Sequence, residues 1–270
     1  INDGSPSGFS NITSSLPTKA KSINKNFYLI GLSFSDKIKI QDYGEKPVFF
    51  DKWQMLAHPD MIYTPKNNAL FDECIKFDLT TILVSPTSSI RTVKMLDENG
   101  WFLKLHYDGL IGRINRKLER EHAVSAVEVS KIIEKVIDSN KLPKKFFIQR
   151  EPFARIINLY DKKQKLHEWG IVLREPFAYP FNDKVKFLIP AFSLFSKDPQ
   201  NPKHKSILTQ LIEKQTKCVE DFLFEDMIAP VYVSYFELIL NCGLQLECHA
   251  QNTLFAISEN FEVLGIVAKD

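Results

Sequence analysis

Short apolar and β-branched runs recur along this chain, and helical periodicity is confined to a few blocks between them. Residues 27–33 (FYLIGLS), 47–50, 80–84 (TTILV), 145–149, 169–174 and 185–190 each read as a strand. Residues 89–96 and 101–108 read as two strands of a hairpin, joined at Asp97–Glu98–Asn99–Gly100, a turn composition with glycine last. Helical spacing covers 66–77, 111–139, 204–225 and 229–241, and Gly243 stands where a helix commonly ends. Residues 244–257 and 263–269 close the chain as strands. Strands and segregated helices, without regular βα alternation, predict an α+β fold with mixed or antiparallel sheets.

The chain has 270 residues, 44% hydrophobic, which is enough for one large domain or two smaller ones. Residues 1–26, rich in Ser, Asn, Gly and Pro, read as loop or linker, followed by one region over 27–150 and another over 151–270. The 21 phenylalanines predict aromatic-rich packing. A formal charge of +2 gives no basic excess for nucleic acid, and no partner of that kind is expected. Cys74, Cys218, Cys242 and Cys248 form no C-x-x-C pair, so the expectation is free thiols in a reducing cytoplasm, not a thiolate zinc site. Apolar stretches such as 232–240 are too short for a bilayer, and no membrane is expected. Residue 1 is Ile, and no charged-then-apolar leader follows, so the chain reads as a piece of something longer.

Three stretches carry chemistry. If 244–257 is a regular strand, Glu247, His249 and Gln251 share one face, and Leu246, Cys248 and Ala250 the other. That polar face suits a divalent cation and its phosphates, with Asn252 and Asp270 as further hard oxygens for Mg²⁺; an exposed sheet face is the plainer account. In the second stretch, Ser89 and Arg91 alternate with Thr92, and Lys104 and Arg116 follow downstream. Together these cations could neutralise a triphosphate. Alternatively Arg116, with Lys117 and Arg120, forms a solvated helix face beside Glu119 and Glu121. Third, Arg174 ends an apolar strand where a sheet opens onto a cleft, or it pairs with Glu175 or another carboxylate.

The segments SSIRT, LKLHYDGLIGRINRKL, VLREP and GLQLECHAQNTLFAI…GIVAKD occur in that order. Together they resemble the IucA/IucC family of NRPS-independent siderophore synthetases over about residues 45–270. The resemblance implies a palm-like ATP-binding subdomain with kinase-like echoes. It also implies ATP- and Mg²⁺-dependent adenylation of a carboxylate of citrate or a related polycarboxylate. An amine or hydroxyl then attacks to give an amide or ester. Carried over by motif, Arg91, His249 and Lys104 would be catalytic. Ser89, Arg91, Thr92, Lys104, Arg116, His249 and Asn252 would hold ATP. Arg174 would clamp the carboxylate, with Ser89, Arg91, His249 and Gln251 also at the substrate; Glu247, Asn252 and Asp270 would hold magnesium. Dimers are common in that family, so the resemblance also implies a homodimer, and ATP chemistry with sparse cysteines fits a cytoplasmic setting. Asp51-Lys52-Trp53-Gln54 stands where the family has His-Pro-Trp-Gln, and Lys269 stands for an Arg. Two other classes stay open: a kinase-like phosphotransferase, though no G-x-G-x-x-G loop is present, and a binding protein that kept the fold without the chemistry.

Overall fold

In the computed structural model the residues described are 26–61, 73–87, 89, 91–97, 100–108, 110–111, 114–139, 141–142, 145–160, 163–198, 201 and 203–269. Along the chain the strands are β1 (Phe27–Phe34), β2 (Ile40–Gly44), β3 (Met55–Ala57), β4 (Cys74–Pro86), β5 (Thr92–Met95), β6 (Phe102–Leu105), β7 (Leu110–Ile111), β8 (Ile114–Asn115), β9 (Phe146–Ile148), β10 (Phe153–Tyr160), β11 (Leu166–Arg174), β12 (Val185–Pro190), β13 (Thr253–Ser258) and β14 (Val263–Ala268). The helices are α1 (Arg120–Asp138), α2 (Ile207–Glu213), α3 (Val219–Asp221) and α4 (Ala229–Cys242). The described fold is α+β, as the pattern of runs predicts. It forms two compact units: one runs to Glu128 and adds Glu151–Pro176, and the other takes Val129–Arg150 and Phe177–Asp270. Both units draw on residues from each side of 150/151, where the sequence suggested a boundary.

The first unit is built on an eight-stranded sheet in the order β2-β10-β11-β6-β5-β4-β1-β3. Every described pairing in it is antiparallel. Successive side chains point to opposite faces, so each strand contributes to two surfaces. Val93, Met95, Leu103, Leu105, Ile171, Leu173 and Phe153 line one face and are fully buried in the main core. On the other face Ala154, Ile156 and Val172 pack with Leu118 and with Ala123 and Val127 of α1. That helical cover leaves a polar strip further along the same face.

Several predicted elements differ. Residues 47–50 are not a strand: Val48–Lys52 is a 3-10 turn following Pro47, with Phe50 buried. The end of the expected helix 66–77 lies in β4 from Cys74 onward, and 66–72 fall outside the described residues. The long helix does not begin near 111. Leu110–Ile111 and Ile114–Asn115 pair as a small hairpin, and α1 starts at Arg120, whose N–H donates to Glu168 Oε2 at 3.1 Å. A carboxylate there satisfies a backbone donor that the first helical turn leaves unmade. Strand β10 had no counterpart in the sequence pattern, because Arg155 and Asn158 interrupt its apolar run; that arginine is itself buried.

The second unit carries a four-stranded sheet, β12-β13-β14-β9, in which β9 runs parallel to β14 and the other pairs are antiparallel. Alternation places Phe255 and Ile257 against Leu211, Phe222 and Met227. Leu254 and Ala256 pack with Phe147, Ala178 and Val267. The expected helix 204–225 is broken. Ser206 caps α2 by accepting from Thr209 N–H, and Cys218 accepts from Asp221 N–H at the start of α3. A π-helical turn, Phe222–Ile228, then leads into α4, which ends at Gly243 in the left-handed region (φ 65°) as expected. The closing strand is shorter than predicted: β13 begins at Thr253, and the residues just before it turn. No helix among the described residues is long and apolar enough to cross a membrane.

Candidate functional site

In the first unit, Thr92 of β5 lies directly opposite Lys104 of β6, which lies opposite Val172 of β11. Arg174, two residues further along β11, shares their face. Its buried guanidinium donates through Nε and Nη2 to a single oxygen, Oε1 of Glu151, at 3.1 and 2.7 Å. Lys104 Nζ stands 3.6 Å from the same oxygen. Glu151 is itself buried, 4% exposed, so two cations converge on one carboxylate removed from water. Such an arrangement is stable only because the charges offset one another's desolvation.

The S-x-R-T segment does not form the regular strand expected of it. β5 begins only at Thr92, and Ser89 and Arg91 lie in the turn before it. The Thr87 hydroxyl organises that turn, donating to the Thr92 carbonyl (2.6 Å) and accepting from the Ser89 N–H (3.2 Å). Arg91 donates from Nη1 to the Arg116 carbonyl at 2.9 Å, and its own carbonyl accepts from Leu105 N–H. Arg116 precedes α1 and is not on a helix face. Nearby, His106 stacks on Trp169 with centroids 4.2 Å apart, its Nδ1 within 3.3 Å of the Leu118 backbone. Burial pushes its pKa down to about 4, so the imidazole is neutral near pH 7.

In the second unit the E-x-H-x-Q-N block is a turn, not a strand, so the predicted one-face alternation of Glu247, His249 and Gln251 does not occur. His249 N–H donates to the Glu247 carbonyl, and Asn252 and Thr253 N–H both donate to the His249 carbonyl. These local bonds replace the ladder that a strand would need. The turn still gathers three of the expected side chains. Glu247 Oε2 lies 3.5 Å from His249 Nε2 and 3.5 Å from Asn252 Nδ2. Gln251 N–H donates to His249 Nδ1 at 3.2 Å, which assigns the ring proton of neutral His249 to Nε2, facing Glu247. Asn252 is buried while Glu247 is 79% exposed. The Asn252 carbonyl accepts from Lys269 N–H at 3.0 Å. Asp270, the third expected magnesium ligand, lies outside the described residues. Among those described, no three His, Cys, Asp or Glu side chains form a metal-holding group.

Two participants escaped the sequence reading: Glu151 and Thr87. A signal for Glu151 was present, because the pentapeptide Arg-Glu-Pro-Phe-Ala occurs at both 150–154 and 174–178. The acid of the first copy pairs with the arginine of the second, so the other carboxylate foreseen for Arg174 is Glu151. The segment that replaces His-Pro-Trp-Gln is structural here. Gln54 Oε1 accepts from Phe34 N–H at 2.5 Å, and Trp53 packs edge-on against Phe50.

A sheet face with a buried arginine and a half-buried lysine, and a turn combining acid, imidazole and amide, are set on an α+β fold. Residues 35–196 match the IucA / IucC family, and the chain belongs to that family. It is 26% identical over 182 residues to the L-2,3-diaminopropanoate–citrate ligase of Staphylococcus aureus (strain NCTC 8325 / PS 47), covering 65% of this chain and 30% of that protein. Aerobactin synthetase IucC from a hypervirulent pathotype of Klebsiella pneumoniae matches with a TM-score of 0.72 at 15% identity, over 98% of this chain and 52% of that one. The ATP-bound aerobactin synthetase IucA from such a pathotype matches with a TM-score of 0.68 at 13% identity, over 92% and 50%. At these identities the structural likeness shows the fold. The chain spans about a third of the length of the curated relative and about half that of the solved chains. The family match takes in Ser89, Arg91, Thr92, Lys104, Arg116, Glu151 and Arg174, and ends before the Glu247–Asn252 turn.

Proposed function

We propose that this chain serves an ATP-dependent siderophore synthetase, activating a carboxylate of citrate or a related polycarboxylate and passing it to an amine or hydroxyl. Family membership supports this reading, as do the Staphylococcus aureus relative's being a diaminopropanoate–citrate ligase and the ATP-bound state of one structural neighbour. The observation that carries it is the cluster of buried Arg174 and Glu151 with half-buried Lys104: a planar fork and an ammonium fixed on a sheet suit a carboxylate or phosphate oxygen.

In the first half-reaction a carboxylate oxygen of the acid attacks the α-phosphorus of ATP, and pyrophosphate leaves. In the second, the nucleophile attacks the acyl carbon, loses its proton, and AMP leaves. The protein's contribution to both is placement and charge neutralisation, with no covalent bond to the chain. Arg91 and Arg116 neutralise phosphate, Ser89 and Thr92 donate hydroxyl hydrogen bonds, and Arg174 with Lys104 holds one oxyanion, of the carboxylate or of a phosphate. His249, with its proton on Nε2, donates to an anionic oxygen, and Gln251 and Asn252 add amide contacts. The Glu247 carboxylate, open to solvent, is a hard-oxygen donor for magnesium; Asn252 turns its Nδ2 to Glu247 at 3.5 Å, which leaves its Oδ1 as the amide's donor to the ion, with Asp270 as a third. When bound, the ion supplies positive charge to the phosphates. ATP-consuming chemistry favours a cytoplasmic setting, and the partners are small molecules, with a homodimer as the assembly.

The test is citrate-dependent exchange of labelled pyrophosphate into ATP by the whole protein. Exchange should be present in the wild type and lost in Arg91→Ala and His249→Ala. Release of ADP without pyrophosphate would support a phosphotransferase instead. No thermal shift with ATP and magnesium would leave neither enzyme standing.

A further inference from the structure

We propose that Glu151 is a positioning residue for the anion held by Lys104 and Arg174, acting through both cations without touching the ligand. The inference rests on the synthetase reading and names a device within its first unit.

Glu151 sits two residues before β10, with Pro152 between, and its side chain is 6% exposed. One of its oxygens takes both the Nε and Nη2 edges of Arg174 and stands 3.6 Å from Lys104 Nζ. A guanidinium gripped along its Nε–Nη2 edge keeps a single orientation of its plane, and the side chain forfeits its rotamer freedom before any ligand arrives. Lys104 and Arg174 are diagonal neighbours on one sheet face, so without an intervening carboxylate two like charges would repel in a site with little water. The Arg174–Glu151–Lys104 arrangement converts that repulsion into a fixed fork and a fixed ammonium. Oxyanions of two origins fit it: a carboxylate of the acid and a phosphate of ATP.

The alternative role is a plain counterion, and it predicts the opposite sign. Removing a counterion makes the face more positive and tightens every anion. Removing a positioning residue loosens the ligand whose geometry it sets, despite the added positive charge.

The experiment titrates citrate and ATP separately into the whole protein by calorimetry, for wild type, Glu151→Gln and Glu151→Asp, and measures the KM of each in pyrophosphate exchange. Glu151→Gln should weaken one of the two by about tenfold or more and leave the other within about twofold, as expected when a positioning contact is lost. Glu151→Asp, which keeps the charge, should recover part of that loss. Whichever ligand responds identifies the anion. Tighter binding of both, equal loss of both, or no change in either overturns the proposal. If Glu151→Gln does not fold, Glu151→Asp alone decides it: selective weakening of one ligand supports the proposal, and a uniform effect sinks it. A wild type that binds citrate and ATP yet exchanges no pyrophosphate would reject the synthetase reading and leave the binding comparison intact. A wild type that binds neither rejects both.

Discussion

Arg155 grips Asp42 with two parallel hydrogen bonds, Nε to Oδ1 at 2.6 Å and Nη2 to Oδ2 at 2.7 Å. The two residues are directly opposite on β10 and β2, and Nη1 of the same guanidinium also reaches the Trp53 carbonyl. One buried arginine therefore fastens the edge strand β2 and the segment that replaces the family's His-Pro-Trp-Gln. Burial alone would raise the Asp42 carboxyl; hydrogen bonding and charge from Arg155, with help from Lys46, overcome it and hold the group below its usual range.

Arg155→Ala takes the fork from Asp42, which is 32% exposed and keeps Lys46 at 3.6 Å, and removes that donor from the Trp53 carbonyl, so it should cost about 2 kcal/mol of stability, the scale for lost charge-assisted hydrogen bonds. Arg155→Lys keeps the charge but not the fork and should recover less than half. Urea unfolding midpoints of the three proteins check this, and an unchanged midpoint for Arg155→Ala refutes the fastening role.

Much of the α+β pattern was legible because runs such as 80–84 (TTILV) and 169–174 (WGIVLR) are continuous stretches dominated by β-branched or apolar residues, as strands buried in a sheet require. What misled was context. Arg155 broke the apolar run of β10, yet the chain buries that arginine by giving it Asp42 as a partner 113 residues away in sequence. The E-x-H-x-Q-N block alternates like a strand, but the His249 carbonyl takes the Asn252 and Thr253 N–H groups and closes a turn. The gathering of Glu247, His249 and Asn252 still came through, because a turn brings near neighbours together as well as a strand face does. Glu151 was missed because the repeated Arg-Glu-Pro-Phe-Ala does not say which acid meets which arginine; the antiparallel pairing of β10 with β11 does.

Acid stability should follow the buried imidazole of His106. Burial lowers its pKa from 6.5 to about 4, so between those values the unfolded chain binds a proton that the folded one refuses. Stability is therefore lost as pH falls through this window, by about 3 kcal/mol at 1.4 kcal/mol per unit. His58, fully buried and also lowered, adds in the same sense. Denaturation midpoints at pH 7 and 4.5 should differ clearly for the wild type and less for His106→Phe. An equal pH effect in both proteins would remove His106 from the account.

The Glu247–Asn252 turn separates binding from stability. Glu247 is largely exposed, so Glu247→Ala should leave the melting temperature within about 1 °C, as for surface changes of under 0.5 kcal/mol, while abolishing the magnesium-dependent part of ATP stabilisation. Asn252 is buried, and Asn252→Ala should lose both that ligand effect and about 1 kcal/mol of stability from its hydrogen bonding and packing. Thermal shift with ATP, with and without magnesium, checks both. Equal melting losses in the two variants would show the turn to be structural only.

Gly44 tests whether local geometry around Glu151 matters for stability. It ends β2 with φ +79°, and a Cβ built there would lie 2.1 Å from the Pro152 carbonyl oxygen, which also accepts from Glu45 N–H. Gly243 offers the control: its φ is +65°, yet nothing lies within 4 Å of a Cβ there. Gly243→Ala should therefore cost only the conformational strain, about 1 kcal/mol. Gly44→Ala adds a clash with backbone that cannot rotate away, and should cost roughly two to three times as much. Because Pro152 follows Glu151, the displaced carbonyl also shifts the carboxylate under Arg174, so Gly44→Ala should weaken the same ligand that Glu151→Gln weakens. Unfolding midpoints and citrate and ATP titrations of the two alanine variants decide the matter: equal costs would refute the steric term, and unchanged titrations of a folded Gly44→Ala protein would refute the coupling.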